Sequence, residues 1–205
     1  IRQVPGLRNF DGETITLSQD IEMNGIAFTP ISSYYRKVEE DVTKQNQSAW
    51  FSGTIDGKGY AIKNLSNNGF SIAGITAGTN ATSVQFGESK VTYSEAIYGL
   101  FASVKDAEIK NITISVDIDM TIDNQNQYVG DSIGAIIGFS TGNLTLENVT
   151  VNGTVKGYDG VGGIVGRCYG TGTNTVTLKN VTNNANITGV RHTGGIIGYV
   201  NGPQV

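Results

Sequence analysis

The sequence is short of the residues that staple, break or charge a chain. A single cysteine, Cys168, rules out an internal disulfide framework. It stands beside an apolar run, where a buried thiol is expected rather than a reactive one. With one histidine, His192, a multi-histidine zinc site cannot form, and no His-Glu-x-x-His pattern occurs. Prolines number only 3 in 205 residues, so strands and coils can run uninterrupted. The net charge is −4 and no run of five or six basic residues exists. Nucleic acid is a poor candidate partner on that ground, because neutralising phosphates needs a basic patch. No apolar run approaches the ~18 residues of a membrane-spanning helix; no signal peptide is visible within the sequence, whose start at Ile1 fits a mature or a trimmed chain equally well.

Glycine is abundant, at 28 residues, about twice its usual share of roughly 7%. The glycines edge regular apolar runs: Gly99-Leu100-Phe101, Gly134-Ala135-Ile136-Ile137-Gly138, Gly163-Ile164-Val165-Gly166 and Gly195-Ile196-Ile197-Gly198. Four further segments share one pattern: Ile62-Lys63-Asn64-Leu65, Ile109-Lys110-Asn111-Ile112, Leu146-Glu147-Asn148-Val149 and Leu178-Lys179-Asn180-Val181. Asn111, Asn148 and Asn180 stand 37 and 32 residues apart, one supersecondary unit per step.

Side-chain phase is more informative than spacing. Before each Asn, apolar residues alternate with polar ones, as in Leu144, Leu146 and in Val176, Leu178. After it the alternation restarts one residue out of phase: Ile112, Ile114, Val116, Ile118, Met120, Ile122 in one unit and Val149, Val151, Val155 in the next. In a straight strand that slip would turn every side chain to the wrong face. The chain must bend there, and Asn tolerates the left-handed backbone a bend requires. Asn64, Asn111, Asn148 and Asn180 are therefore predicted to be corner residues stacked from coil to coil, with Asp20 as the corner of a degenerate first coil at 15–23.

The predicted fold is all-β, a parallel β-helix-like solenoid with three strands per coil, formed as one domain over 1–205. Two long insertions interrupt it, at about 31–50 and 66–96. A β-propeller is the rival, but its blades repeat at about 40–50 residues. The register places Lys110, Glu147 and Lys179 in an outward ladder, Asp119 beside Lys156, and Thr113, Thr150 and Thr182 in a row. In the first insertion Val38 and Val42 sit at helical spacing. In the second, Val84-Gln85-Phe86 and Val91-Thr92-Tyr93 predict a hairpin. The chain stops soon after Gly198, before another Asn corner, so the stack is expected to be open at that edge and to belong to a longer protein.

The stretch Phe51–Leu65, with Ser52-Gly53-Thr54-Ile55-Asp56-Gly57-Lys58-Gly59 at its centre, resembles bacterial GLUG-repeat proteins when taken with Gly99-Leu100-Phe101 and the Gly-Gly-Ile-Val-Gly runs. The resemblance covers about 51–65 and 97–202. Ala102 and Ala135 depart from it, standing where other coils carry glycine. It implies a surface or secreted bacterial protein of the Bacteroidetes adhesin-like type, and it assigns no catalytic residue.

Three functions are open on this sequence. The first is a non-catalytic surface module, adhesin-like or scaffolding, with host surface proteins, glycans or adjacent domains of the same polypeptide as partners. The second is a carbohydrate-binding module. Aromatic rings stack on sugars, which makes Tyr34, Tyr35, Trp50, Tyr93 and Tyr98 the candidate ligand-binding residues. The third is a polysaccharide-degrading β-helix enzyme, for which Asp117, Asp119 and Asp123 form the one carboxylate cluster. A solvated strand face is the simpler account of that cluster, since a glycosidase pair also needs a substrate cleft. Asp56-Gly57-Lys58-Gly59 reads first as a tight turn. No cofactor or metal is expected.

Overall fold

The structure is a computed structural model. It describes residues 9–24, 26, 28, 30–32, 50–67, 97–120 and 131–205, and the backbone of four short strands between 71 and 92. The described chain is a β-solenoid of about four turns without a helix, as the alternation predicts. The helix expected around Val38 and Val42 lies outside the described residues.

One large parallel sheet carries most of the stack. Its path runs from β1 (Thr14–Thr16) to β3 (Thr54–Asp56), β9 (Phe101–Asp119), β11 (Ile137–Lys156), β13 (Val165–Tyr169) and β16 (Ile197–Asn201). On it, β2 (Ile21–Glu22) pairs with β4 (Ala61–Ser66), β4 with β9, and β14 (Val176–Thr188) with β11. A second face holds β10 (Asp131–Gly134), β12 (Asp159–Gly162) and β15 (Thr193–Gly194). The coil from Asp159 to Thr188 thus has the three predicted strands, β12, β13 and β14.

The long strands bend where the phase slips. Asn111, Asn148 and Asn180 have φ of 53°, 54° and 52°, in the left-handed region that an alternating strand cannot enter without turning. Around each bend the inward positions stay in register: Ile109 with Leu146 and Leu178, Ile112 with Val149 and Val181. Ile109, Leu146 and Val149 are fully buried, and each such side chain contributes roughly 1.5–3 kcal/mol relative to exposure.

Glycine permits the close stacking of the short face. A Cβ on Gly134 or Gly162 would overlap a carbonyl oxygen, that of Ile137 or Val165 respectively. At Gly153, where φ is 110°, it would overlap the Val116 carbonyl oxygen.

The first repeat differs from its expected register. Ile62 pairs with Ile114 rather than Ile109, and a bulge places Asn64 beside Ser115. Asn64 is left-handed, with φ 58°, but it is not stacked on Asn111. The Asp56-Gly57-Lys58-Gly59 turn occupies that place, since the amide of Gly59 donates to the Asn111 carbonyl over 2.9 Å. Only glycine fits at 57, where a Cβ would overlap the same carbonyl. Asp20 lies between β1 and β2 but outside the corner column: it stands opposite Ala61, whose amide donates to it over 2.9 Å, and it pairs with Lys63 at 2.6 Å. In the second insertion β7 (Ser83–Phe86) and β8 (Ser89–Thr92) form the expected antiparallel hairpin. A smaller antiparallel pair, β5 (Ser71–Ile72) and β6 (Ile75–Thr76), precedes it.

Candidate functional site

The corners are held by a ladder of amides. Asn180 Nδ2 donates to Asn148 Oδ1 over 3.0 Å, Asn148 Nδ2 to Asn111 Oδ1 over 2.9 Å, and Asn111 Nδ2 to Asp56 Oδ1 over 3.0 Å. Asp56 ends the ladder with a group that only accepts. The Asn111 bond and the backbone amide of Lys58 hold its carboxyl down at about 2. A second column joins Asn184 Nδ2 to Asn152 Oδ1 over 3.1 Å, in register with Ser115. A third runs along backbone amides: Asn143 donates to Asp106 Oδ1 over 2.9 Å, and Thr175 to Asn143 Oδ1 over 3.0 Å.

The predicted outward neighbours also meet. Lys156 Nζ lies 3.0 Å from Asp119 Oδ2, Lys179 Nζ lies 2.6 Å from Glu147 Oε1, and Thr113, Thr150 and Thr182 share one row. Lys110 turns instead to Glu108, 3.1 Å away on its own strand. Of the carboxylate cluster, Asp117 and Asp119 are outward and exposed, and Asp119 is the partner of Lys156. Asp123 lies outside the described residues.

The aromatic candidates separate. Tyr34, Tyr35 and Tyr93 lie outside the described residues. Tyr98 is wholly buried, and its hydroxyl donates to the Ser66 carbonyl over 2.9 Å. Burial pushes that phenol well above its usual range, so Tyr98 is a core residue with no face for a sugar. Trp50 is half-buried on the outside of the stack, with its ring 6.0 Å from Phe139.

Trp50 packs with Tyr169 against a second small apolar cluster of Ile97, Ala102 and Phe139, in which Phe139 is buried, and an aromatic row that the sequence did not reveal runs on from it. Phe139 and Tyr169 stack at 5.2 Å and 19°, and Tyr169 meets Tyr199 at 5.7 Å and 44°. Beside this row, Asp159 is a hub between two coils. Its carboxylate meets Arg167 at 2.9 Å and His192 Nδ1 at 2.6 Å. Burial pushes the Asp159 carboxyl up, but the His192 bond and the Arg167 charge outweigh it and hold the carboxyl below the usual range. The guanidinium lies 5.4 Å from the Tyr199 ring centre, and His192 approaches the same ring edge-on at 4.7 Å. His192, in a left-handed bend at φ 42°, thus joins two coils.

The available signal was positional. Phe139, Arg167 and Tyr199 each come directly after the glycine that closes an apolar run, and they occupy one outward column.

Chemically, this face offers ring edges, phenol hydroxyls and one charged hub. The stacked rings of Phe139 and Tyr169 cover each other's faces, so a sugar would meet mostly edges there. A shallow recess beside the corner ladder, lined by Lys58, Gly59, Asn111, Ile112, Thr113 and Asn148, is open to solvent. Among the described residues no three His, Cys, Asp or Glu side chains are grouped to hold a metal. No helix among the described residues is long and apolar enough to cross a membrane. Comparison of the chain with protein-family models, with curated proteins and with solved structures found no match to any of them.

Proposed function

We propose that this chain is a non-catalytic β-solenoid module of the GLUG-repeat kind, carried on a bacterial cell surface or secreted, and acting as an adhesin-like scaffold. One observation supports the reading above the others: charged and amide side chains on the described coils bond chiefly from one coil to the next. Asp119, Glu147, Asp159, Asn111 and Asn148 all have inter-coil partners. An enzyme of this shape would instead aim its acids into a substrate groove. Host surface proteins or glycans are the partners this reading implies.

The half-buried aromatic row of Trp50, Tyr169 and Tyr199 favours a second reading, carbohydrate binding. A glycan array with the wild type and with Trp50→Ala and Tyr199→Ala chains separates the two. The scaffold reading expects no retained glycan. Saturable binding to one glycan class that both substitutions weaken by ~10-fold or more would replace it with the second. Turnover of any polysaccharide, lost in the Asp117→Asn, Asp119→Asn chain, would overturn both.

A further inference from the structure

We infer that the recess over Ile112, between the Asp56–Gly59 turn and the Asn ladder, is a binding site for an uncharged saccharide. It shares no residue with the aromatic row and goes beyond the scaffold reading, which needs no ligand there. Three observations carry it.

The first is that the recess marks a departure from the repeat. Elsewhere the stacked corners are of equal length: Lys110, Glu147 and Lys179 align before the Asn, and Ile112, Val149 and Val181 align after it. At this one junction Asp56 pairs with Lys110 and Ala61 with Thr113. Gly57, Lys58, Gly59 and Tyr60 therefore span the place of Asn111 and Ile112 alone. The turn takes up the surplus chain, and beside it opens a hollow of about 500 Å³ lined by Lys58, Gly59, Asn111, Ile112, Thr113 and Asn148. That lies within the ~300–1,000 Å³ of small-molecule sites. Gly59 adds no side chain to it, and a Cβ there would meet nothing within 4 Å.

The second is hydrogen-bonding capacity that the fold leaves unused. Asn111 and Asn148 each donate one N–H to the rung before and accept one at Oδ1 from the rung after. A primary amide has a second N–H and a second lone pair, directed away from the first. Each rung thus keeps one donor and one acceptor off the ladder axis. The Thr113 hydroxyl has no hydrogen-bond partner among the described residues. Lys58 Nζ, 3.1 Å from Asp56 Oδ2 on a side chain 58% exposed, has N–H groups to spare.

The third is charge. Asp56 is matched by Lys58, and Lys110 by Glu108 at 3.1 Å. The hollow has no net charge with which to hold an ionic ligand. Paired donors and acceptors over the apolar floor of Ile112 instead complement vicinal hydroxyls on a sugar ring, each of which both donates and accepts. The mouth is open, so the affinity is low, at ~1–30 mM. Complexes that weak dissociate during the washes of a glycan array. Array binding that depends on Trp50 and Tyr199 therefore bears on the aromatic row alone.

The experiment titrates the isotope-labelled chain with methyl glucoside, galactoside and mannoside, and with methyl glucuronoside as the charged arm, followed by amide NMR. At least one neutral glycoside is expected to shift the Asn111 and Asn148 side-chain amides and the Gly59 amide, saturating below ~100 mM. Thr113→Val keeps the shape, removes only the unbonded hydroxyl and should weaken binding by ~5-fold or more. Thr150→Val, next in the same row but outside the hollow, should change it by less than ~2-fold. Both variants should melt within ~2 °C of the wild type, which separates lost binding from lost fold. No saturable shift of these amides with any neutral glycoside overturns the inference. So does glucuronoside binding ~10-fold tighter than its neutral counterparts, or equal weakening by the two valine substitutions.

Discussion

The amide ladder can be tested at its centre. Asn148 donates to Asn111 and accepts from Asn180, at 2.9 and 3.0 Å, with a left-handed backbone at φ 54°. The side chain is exposed, so each bond counts at the low end of the usual range, ~0.5 kcal/mol. Alanine in the left-handed region adds roughly 1–2 kcal/mol of backbone cost, most of which Asn and Gly avoid. Asn148→Ala should therefore destabilise by about 2–3 kcal/mol, combining lost bonds and strain. Asn148→Gly loses the same bonds without the strain and should cost about 1 kcal/mol. For a chain of this size each kcal/mol moves Tm by roughly 2–4 °C. Melting followed by far-ultraviolet circular dichroism would then separate the two variants by several degrees, with glycine the more stable. The Asn148→Asp chain adds a sign test, because its carboxylate would face Asn111 Oδ1 as acceptor against acceptor. It should be less stable than Asn148→Gly at neutral pH. An alanine variant as stable as the glycine variant would refute the claim that backbone handedness makes the corner.

Three further outcomes are expected of the same structure. The Asp56 carboxyl is held down at about 2, below the ~3.9 of an unfolded chain. Its contribution to stability is present above about pH 4 and lost as pH falls toward 2, so Tm curves of wild type and Asp56→Asn should converge over that interval; parallel curves would contradict it. Cys168 is 1% exposed and burial pushes its thiol up to about 12. A thiol reagent at pH 8 should label it only after urea unfolding, and labelling of the folded chain at free-thiol speed would place Cys168 outside the core. Gly153→Ala forces a Cβ against the Val116 carbonyl at φ 110° and should destabilise by about 2–4 kcal/mol in urea titration; a neutral result would mean that the bend there shifts freely.

Much of the fold was legible because the solenoid writes its geometry into side-chain phase. The slip at Asn111, Asn148 and Asn180 implies a bend, the bend implies coils, and the coils imply the Lys156–Asp119 and Lys179–Glu147 pairs that form. Asn64 misled for a physical reason. It carries the same local signal and does adopt the left-handed backbone. Which coil lies beneath it, however, is decided by the bulge and by the Asp56-Gly57 turn, whose carboxylate and bare Cα suit the place above Asn111. The aromatic row was hidden for a different reason. Phe139 does read as buried, but only the strand pairing, next to Arg167, shows that it belongs to a second cluster with Ile97 and Ala102 and not to the main core. Tyr98 is the converse: an aromatic between polar loop and glycine looked like surface and is core.

That division bears on where function can reside. Inward columns are narrow in chemistry: Ile109, Leu146 and Leu178 in one, Ile112, Val149 and Val181 in another. Each must fill a layer of the same width, so a change in size creates either a void or an overlap. The outward column after the closing glycines is filled differently in each coil, although Phe139 in it is buried against Ile97 and Ala102 and Arg167 is paired with Asp159. It holds Phe139, then Arg167, then Tyr199, three residues of different size and charge at one structural position. The glycine before each lets the backbones approach whatever side chain occupies the outward position. A repeat built this way can vary the chemistry of one face coil by coil without disturbing its core, which is what a scaffold requires for presenting a surface to a partner. If that is its use, exchanging Arg167 and Tyr199 should alter what the face binds while leaving Tm within a few degrees. A collapse of the fold on that exchange would mean that the Asp159 hub, and not the core, sets the stability of the last coils.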